Sequence, residues 1–329
     1  MTTETMRSVR ATELGPPENY AMVESPLPRP GPGEVLVRLR AVSLGYADVL
    51  VAAGGYQVTP DVPFVPGSEG SGTVVAAGAG VTNVAPGDNV SVTRFSGVLA
   101  DHVLARATEL TPIPAGMSFE EAASYRANYA TALYGLKDRG SLKPGETVLV
   151  LGAAGGVGMA AVQLAKRLGA RVIAGASTDR KRAFALDHGA DLALDYSVPN
   201  WRESLKAMTE GKGIDMVFDP VGGDLFEPAF RSLAWGGRHL VIGFVGGPIP
   251  RLPANLPLLK GAALVGVDVR QFTLKEPERE QANRTLIARW CAEGLRPPVG
   301  TTFDFGDFRA AMAAAAQGTS LGKVVVRIG

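Results

Sequence analysis

The chain has 329 residues, with 33 Lys and Arg against 32 Asp and Glu, a formal charge of +1 that gives no electrostatic footprint for nucleic acid or an anionic membrane. Its 46% hydrophobic content excludes a disordered chain, and the length suggests two domains, each able to bury a core. A single cysteine, Cys291, excludes intrachain disulfides and every multi-cysteine zinc or iron–sulfur site.

Met1–Arg10 carries no apolar leader, so the expectation is a cytoplasmic protein without a signal peptide. The chain then reads as β-rich. Glu34–Ala41 alternates, with Val35, Val37, Leu39 and Ala41 on one face and Arg38 and Arg40 on the other. Turn signals at Pro30-Gly31-Pro32-Gly33, Gly54-Gly55, Pro66-Gly67 and Pro86-Gly87 separate short apolar runs such as Gly72–Ala77 and Asn89–Val92, a spacing that fits a small barrel or curled sheet. Glu120–Leu136 predicts one helix.

Thr147–Ala165 has no charge and approaches the length of a membrane span. Its clustered Gly152, Gly155, Gly156 and Gly158 predict instead a strand, a glycine turn and a buried helix, and no membrane is expected. Strands follow at Val148–Leu151, Arg171–Ala176, Leu192–Asp195, Met216–Asp219, His239–Phe244 and Leu264–Val267. Helices fall between them at Val157–Leu168, Asp179–His188, Trp201–Thr209 and Phe226–Leu233. This alternation implies a parallel sheet covered on both faces, a doubly wound α/β domain. A polar helix (Glu276–Glu293), an Ala-rich helix (Asp307–Gln317) and a last strand (Lys323–Arg327) complete the chain. A lone terminal strand needs a sheet to join, so both chain ends are assigned to the β-rich domain (1–124 and 268–329), with the doubly wound domain (125–267) inserted.

The strand Thr147–Leu151 runs into Gly152-Ala-Ala-Gly-Gly-Val-Gly158 and then a helix. That context suits a dinucleotide: one glycine lets the backbone approach a pyrophosphate, another lets helix pack on strand, and the helix start offers free N–H groups. Gly155 and Gly158 take the second and third glycine positions and Ala153 the first, so Gly155, Gly156, Val157 and Gly158 are the expected cofactor-binding residues of the turn. A purely structural strand–helix turn is the alternative. The second strand ends in Gly175-Ala-Ser-Thr178, without the carboxylate that would accept from a ribose 2′-OH, and Arg180, Lys181 and Arg182 follow. This favours NADPH over NADH, although at least one of the three cations is expected to be an ordinary solvated residue.

Together with Pro63–Gly70, Gly145–Gly158, Gln163–Lys166, Phe218–Gly223 and Gly236–Arg238, these residues resemble the medium-chain dehydrogenase/reductase superfamily in its zinc-free quinone oxidoreductase branch, over nearly the whole chain. The resemblance implies a GroES-like β domain and a Rossmann domain with the active site in the cleft between them. It also implies that Ser177, Lys181 and Tyr196 surround the 2′-phosphate, that Val221, Gly222, Phe244 and Val245 line the ribose and nicotinamide, and that Thr131 approaches the carboxamide. Core packing is the alternative for Val221, Phe244 and Tyr196. Zinc-dependent relatives carry Gly-His-Glu where this chain has Gly67-Ser68-Glu69, and their cysteine ligands are missing. With only His102, His188 and His239 besides, no metal is expected.

Without a strong Lewis acid, hydride transfer to an acceptor that delocalises charge, a quinone or an α,β-unsaturated alkene, is the expected reaction. Tyr46 and Tyr56 are candidate hydrogen-bond donors, with pocket walls as the alternative. Many relatives have Asn where this chain has Gly45, a gap in the polar set. Asp48 is retained, with a helix-start or salt-bridge carboxylate as its alternative. Arg126 stands where the family pattern has an apolar residue; if it binds substrate, a 2-enoic acid becomes the acceptor, and a solvent-facing arginine is the other reading. The competing function is a non-catalytic NADPH-binding sensor or structural protein. An exposed strand edge and the resemblance both suggest a homodimer.

Overall fold

The structure, a computed structural model, describes residues 4–329; Met1–Thr3, the start of the segment read as lacking a leader, lie outside the described residues. The chain divides into two compact units, one ending at Ala127 and resuming at Trp290, the other running from Asn128 to Arg289.

The first unit opens with β1 (Thr5–Ala11) and β2 (Tyr20–Pro26), an antiparallel pair. The long β3 (Glu34–Leu44) runs into α1 (Tyr46–Ala52), and β4 (Glu69–Ala77), β5 (Asn89–Thr93), β6 (His102–Arg106) and β7 (Leu110–Pro112) follow. The helix α2 (Phe119–Ala122) comes next, and α3 (Arg126–Leu133) carries the chain into the second unit, where a π-helical turn follows at Tyr134–Arg139. The second unit supplies β8 (Thr147–Val150), α4 (Gly156–Arg167), β9 (Arg171–Ala176), α5 (Asp179–Asp187) and β10 (Leu192–Asp195). It continues with α6 (Trp201–Met208), β11 (Ile214–Asp219), α7 (Phe226–Arg231), β12 (Leu233–Val241), α8 (Asn255–Lys260) and β13 (Ala263–Gly266). After α9 (Val269–Lys275) and α10 (Pro277–Ala292) the chain finishes with β14 (Val299–Asp304), α11 (Phe308–Gln317) and β15 (Lys323–Arg327).

In the first unit the sheet order is β14-β15-β3-β4-β5-β7, with β6 also on β3. The terminal strand β15 pairs antiparallel with β3, Val325 opposite Ser43, as the sequence predicts for a lone strand. Alternation puts Val35, Val37 and Leu39 into a core shared with Val90, Val92, Phe308 and Met312, where each buried aliphatic side chain contributes about 1.5–3 kcal/mol.

The single helix expected over Glu120–Leu136 is broken. Ser118 caps α2 through its Oγ on the Glu121 amide (3.2 Å), and the Ser124 hydroxyl turns back onto the Glu120 carbonyl (2.7 Å). Glu69, from β4, then accepts the Ala127 N–H at 2.7 Å and so satisfies a free donor at the start of α3. A strand residue remote in sequence divides the helix.

The second unit carries a parallel sheet ordered β10-β9-β8-β11-β12-β13. Val148, Leu149 and Val150 are wholly buried, the both-faces burial that makes such strands read as continuous apolar runs. Strand order reverses between β8 and β11, and in sheets of this kind the crevice at the strands' carboxyl ends is where ligands bind. The expected boundary at 267/268 moves to the far end of α10, because α9 and α10 pack on this unit. The Phe272 ring stacks on Tyr134 at 4.0 Å, Arg279 reaches Asp138 at 2.9 Å, and Asn283 accepts from Lys137 at 2.9 Å. The strand expected over His239–Phe244 starts earlier, at Leu233, and ends at Val241, leaving Phe244 in the following loop. Among the described residues no helix is long and apolar enough to cross a membrane.

Candidate cofactor site at the strand ends

At the exit of β8 the tight turn is made by Gly152, at φ +59°, rather than at position 153 where the sequence pattern placed the first glycine. Helix α4 starts after Gly155, with no side chain capping its first N–H groups. A Cβ on Gly158 would lie 2.2 Å from the Gly152 carbonyl oxygen, so helix and turn meet only because Gly158 has none; at Gly155 the nearest atom is 3.4 Å away. The uncapped amides therefore open onto a surface on which no side chain of Gly155, Gly156 or Gly158 intrudes, with Val157 among them. A helix start with uncapped amides is the kind of end at which anions bind in other proteins.

Asn128, which sequence reasoning passed over, stands beside this turn: its Nδ2 would lie 2.8 Å from a Cβ on Gly156. Tyr129 is hydrogen-bonded through its hydroxyl to Gln163 of α4. Helix α3 is thus fastened to α4, and Thr131 follows Asn128 by three residues on the same helix.

At the exit of β9, Thr178 caps α5, its hydroxyl accepting the Lys181 N–H at 3.3 Å. Tyr196 packs over Gly175, 3.1 Å from where its Cβ would be, and its hydroxyl is hydrogen-bonded to the Ser177 side chain. Burial first, and then the nearby Asp219 charge, pushes the Tyr196 phenol above its ordinary range, so it remains an O–H donor at neutral pH. Ser177 and Tyr196 are thus brought together, with Lys181 in the first turn of α5 through its N–H on Thr178, and Tyr196 combines core packing with a polar tip. Arg182 is different. Its guanidinium is engaged by the Ala176 carbonyl (3.1 Å), Asp195 (2.9 Å) and Asp179, which makes it a brace between β9 and β10 rather than a free cation for an anion.

The loops leaving β11 and β12 run against each other. Gly246 donates to the Val221 carbonyl at 2.8 Å, and Val245 to that of Pro220 at 3.3 Å. Glycine is required twice: Gly222 adopts φ +65°, and a Cβ on Gly246 would lie 2.6 Å from the Val221 side chain. Val221 also lies 3.1 Å from where a Gly152 Cβ would be, which ties these loops to the glycine turn. Val221 is packed partly into the core, Gly222 and Phe244 are in direct contact range (3.0 Å from the would-be Cβ), and Val245 is exposed. Four residues expected to line one surface therefore meet at the carboxyl ends of adjacent strands.

The first unit holds the acceptor-side candidates on one segment. Tyr46 begins α1 and is half-buried, Asp48 is buried, and the Tyr56 ring lies 6.4 Å from that of Phe95. Asp48 accepts the Gly45 N–H at 2.7 Å, so its carboxylate caps α1. Beside Gly45, Lys323 Nζ lies 3.0 Å from where a Cβ would be and pairs with buried Glu69 at 3.4 Å. The gap in the polar set thus has an ammonium next to it. Arg126 donates to the Glu109 carbonyl at 3.4 Å.

Among the described residues no group of three or more His, Cys, Asp or Glu side chains is placed to hold a metal ion. His102 bonds Asp101 and His188 the Phe184 carbonyl at its helix end, while His239 lies wholly buried against Asp219. Cys291 is buried in α10.

Two family models match: the one described as "Alcohol dehydrogenase GroES-like domain" over residues 31–115, and the one described as "Zinc-binding dehydrogenase" over residues 156–287. Among the described residues no group of three or more His, Cys, Asp or Glu side chains is placed to hold the metal that the second description names. The quinone oxidoreductase-like protein 2 homolog of Nematostella vectensis is 36% identical over 327 residues, covering 97% of this chain and 88% of that protein. The solved quinone oxidoreductase of Thermus thermophilus, also described in complex with NADPH, matches with a TM-score of 0.85 and 34% identity, over 98% of this chain and 100% of that one. The CurK enoyl reductase matches with a TM-score of 0.86 and 26% identity, over 98% and 99%.

Proposed function

We propose a function from one premise: the chain belongs to the medium-chain dehydrogenase/reductase superfamily, in its quinone oxidoreductase branch. On that premise it is a cytoplasmic NADPH-dependent oxidoreductase that reduces a quinone or an activated alkene by hydride transfer without a metal. The observation that carries the cofactor half is the contact of the Gly152–Gly158 turn with the Val221–Gly222 loop, beside a β9 end that has Ser177 in place of a carboxylate. The names of the relatives, one described with NADPH and one as an enoyl reductase, support the two halves of the reading.

The free amides of Gly156, Val157 and Gly158 would hold the pyrophosphate, with Gly155 leaving room for it. Ser177, Lys181 and the Tyr196 O–H would hold the 2′-phosphate. Val221, Gly222, Phe244 and Val245 would exclude water around the nicotinamide, and Thr131 would meet its carboxamide. When bound, NADPH supplies a hydride. Tyr46 and Tyr56 are assigned to the acceptor as hydrogen-bond donors, while Asp48, committed to the Gly45 amide, fixes the first turn of α1 and with it Tyr46. Arg126 is assigned to an acceptor carboxylate, for which faster turnover of a 2-enoic acid than of its methyl ester is the expected sign. The alternative, a non-catalytic NADPH-binding sensor or structural protein, draws on Gly45, and acceptor-dependent turnover separates the two.

Replacing Ser177 with Asp places a negative charge beside the 2′-phosphate site. NADPH should lose about a hundredfold in kcat/KM relative to NADH, roughly 2.7 kcal/mol of like-charge repulsion in a partly screened site. Unchanged cofactor preference in steady-state kinetics would remove the 2′-phosphate assignment. A homodimer is also proposed, through the edge of β13, where Leu264 is exposed, as are Trp235 on β12 and Leu258 and Leu259 on α8. A monomer mass by sedimentation would end that proposal.

A further inference from the structure

Asp219 and His239 have no part in the site as read from sequence, yet they form a wholly interior polar pair at its floor, 1% and 0% exposed. Asp219 is the last residue of β11. Its Oδ1 accepts the N–H groups of Val221 and Gly222, both at 2.8 Å, and its Oδ2 accepts from His239 Nε2 at 2.9 Å. Its main-chain oxygen accepts the Ile242 N–H at 2.9 Å and the Gly243 N–H at 3.3 Å. One residue therefore joins the exit of β11, the loop after it and the exit of β12.

His239 is gripped by Phe226, whose ring centroid is 4.4 Å away, and by Phe230 at 6.1 Å, and its Nδ1 has no hydrogen-bond partner. With Nε2 facing the Asp219 carboxylate and Nδ1 facing no acceptor, the tautomer that donates through Nε2 is the one whose hydrogen bond the site satisfies. Apolar side chains would fill this space more cheaply than a carboxylate and an imidazole. What the pair adds is placement. It holds Gly222 at φ +65° and ψ −137°, which few side-chain-bearing residues adopt, and keeps Val221 against Gly152 and Gly246.

We infer that Asp219 and His239 are a positioning pair that fixes the Val221–Gly222 backbone for the nicotinamide half of the cofactor, an inference that rests on the NADPH reading. Neither residue touches the cofactor in that reading; both act through the loop.

The test is calorimetric titration of the full-length protein with two probes, NADPH and adenosine 2′,5′-bisphosphate, the second lacking the nicotinamide half. His239→Leu leaves Asp219 Oδ2 without its donor and should weaken NADPH about tenfold or more, with the bisphosphate within about twofold of wild type. His239→Gln, which keeps an N–H donor, should restore most of the NADPH affinity. Asp219→Asn, nearly isosteric, sets an amide N–H against His239 Nε2–H and should show the same selective loss, which covers the case that His239→Leu does not fold. Equal weakening of both probes, or no weakening of either, overturns the positioning role. Wild type that binds neither probe overturns the cofactor assignment itself.

Discussion

Gly158→Ala is expected to lower the melting temperature by about 10 °C, because a methyl group placed 2.2 Å from the Gly152 carbonyl oxygen meets backbone that cannot rotate away. The overpacking cost is set at about 3 kcal/mol, the upper part of the usual range, since the obstacle is main chain on both sides. NADPH binding should disappear with it, since α4 must back off from the turn and carry its free amides along. Gly155→Ala provides the contrast. Its new Cβ would find its nearest neighbour at 3.4 Å, and Gly155 has an ordinary φ of −82°. The melting temperature should stay within about 2 °C, while NADPH affinity falls about tenfold, because the methyl stands where the backbone approaches the pyrophosphate. Differential scanning calorimetry and NADPH titration separate the two. A Gly158→Ala protein with wild-type melting would refute the packing argument.

The second large effect concerns Arg238, which joins β12 to the segment before β8. Its guanidinium makes a forked pair with Glu146, at 2.9 and 2.5 Å, and donates to the carbonyls of Gly140 (2.7 Å), Asp215 (3.1 Å) and Ser141 (3.3 Å). Both side chains are mostly covered. Arg238→Leu strands the Glu146 carboxylate and should cost about 3 kcal/mol at pH 7, the low end for breaking a buried pair because some solvent reaches this one. Burial pushes the Glu146 carboxyl up, but the hydrogen bond and charge of Arg238, with the Lys143 N–H, outweigh it and leave the carboxyl below its ordinary range. A carboxylate whose folded value is lowered contributes stability that is fully present above its unfolded value and lost as pH falls through the folded one. The gap between wild type and variant should therefore be largest at neutral pH and shrink in acid, as the Glu146 carboxylate protonates first in the variant and then in wild type. Urea unfolding at several pH values measures it. A gap that stays constant into acid would show that the lost stability is packing and not the ion pair.

How far these arrangements are visible in the sequence depends on whether their causes are local. Val148–Val150 is buried on both faces, so its apolar run declares a parallel strand without help from elsewhere. The start of α3 is set by Glu69, more than fifty positions earlier, and nothing in Glu120–Leu136 reveals the break. Helix α9 had a readable signal that was passed over: Asp268 caps it by accepting the Gln271 N–H at 3.0 Å. At the site, glycine spacing located the turn, but which glycine bends it is a matter of φ, and Gly152 rather than position 153 takes the positive value. A basic run on a helix reads as three equivalent cations. The fold commits Arg182 to Asp195 and the Ala176 carbonyl, so the three are not equivalent. The partnership of Asp219 with His239 joins neighbouring strands whose pairing no local pattern encodes.

The most direct measurement is NADPH oxidation, followed at 340 nm, with quinones, enones and 2-enoic acids as acceptors and NADH as the control. Turnover of at least one of these acceptor classes, with NADPH preferred over NADH by tenfold or more, is the predicted result. NADPH that binds but is consumed by none of them, or equal use of NADH, would contradict the account.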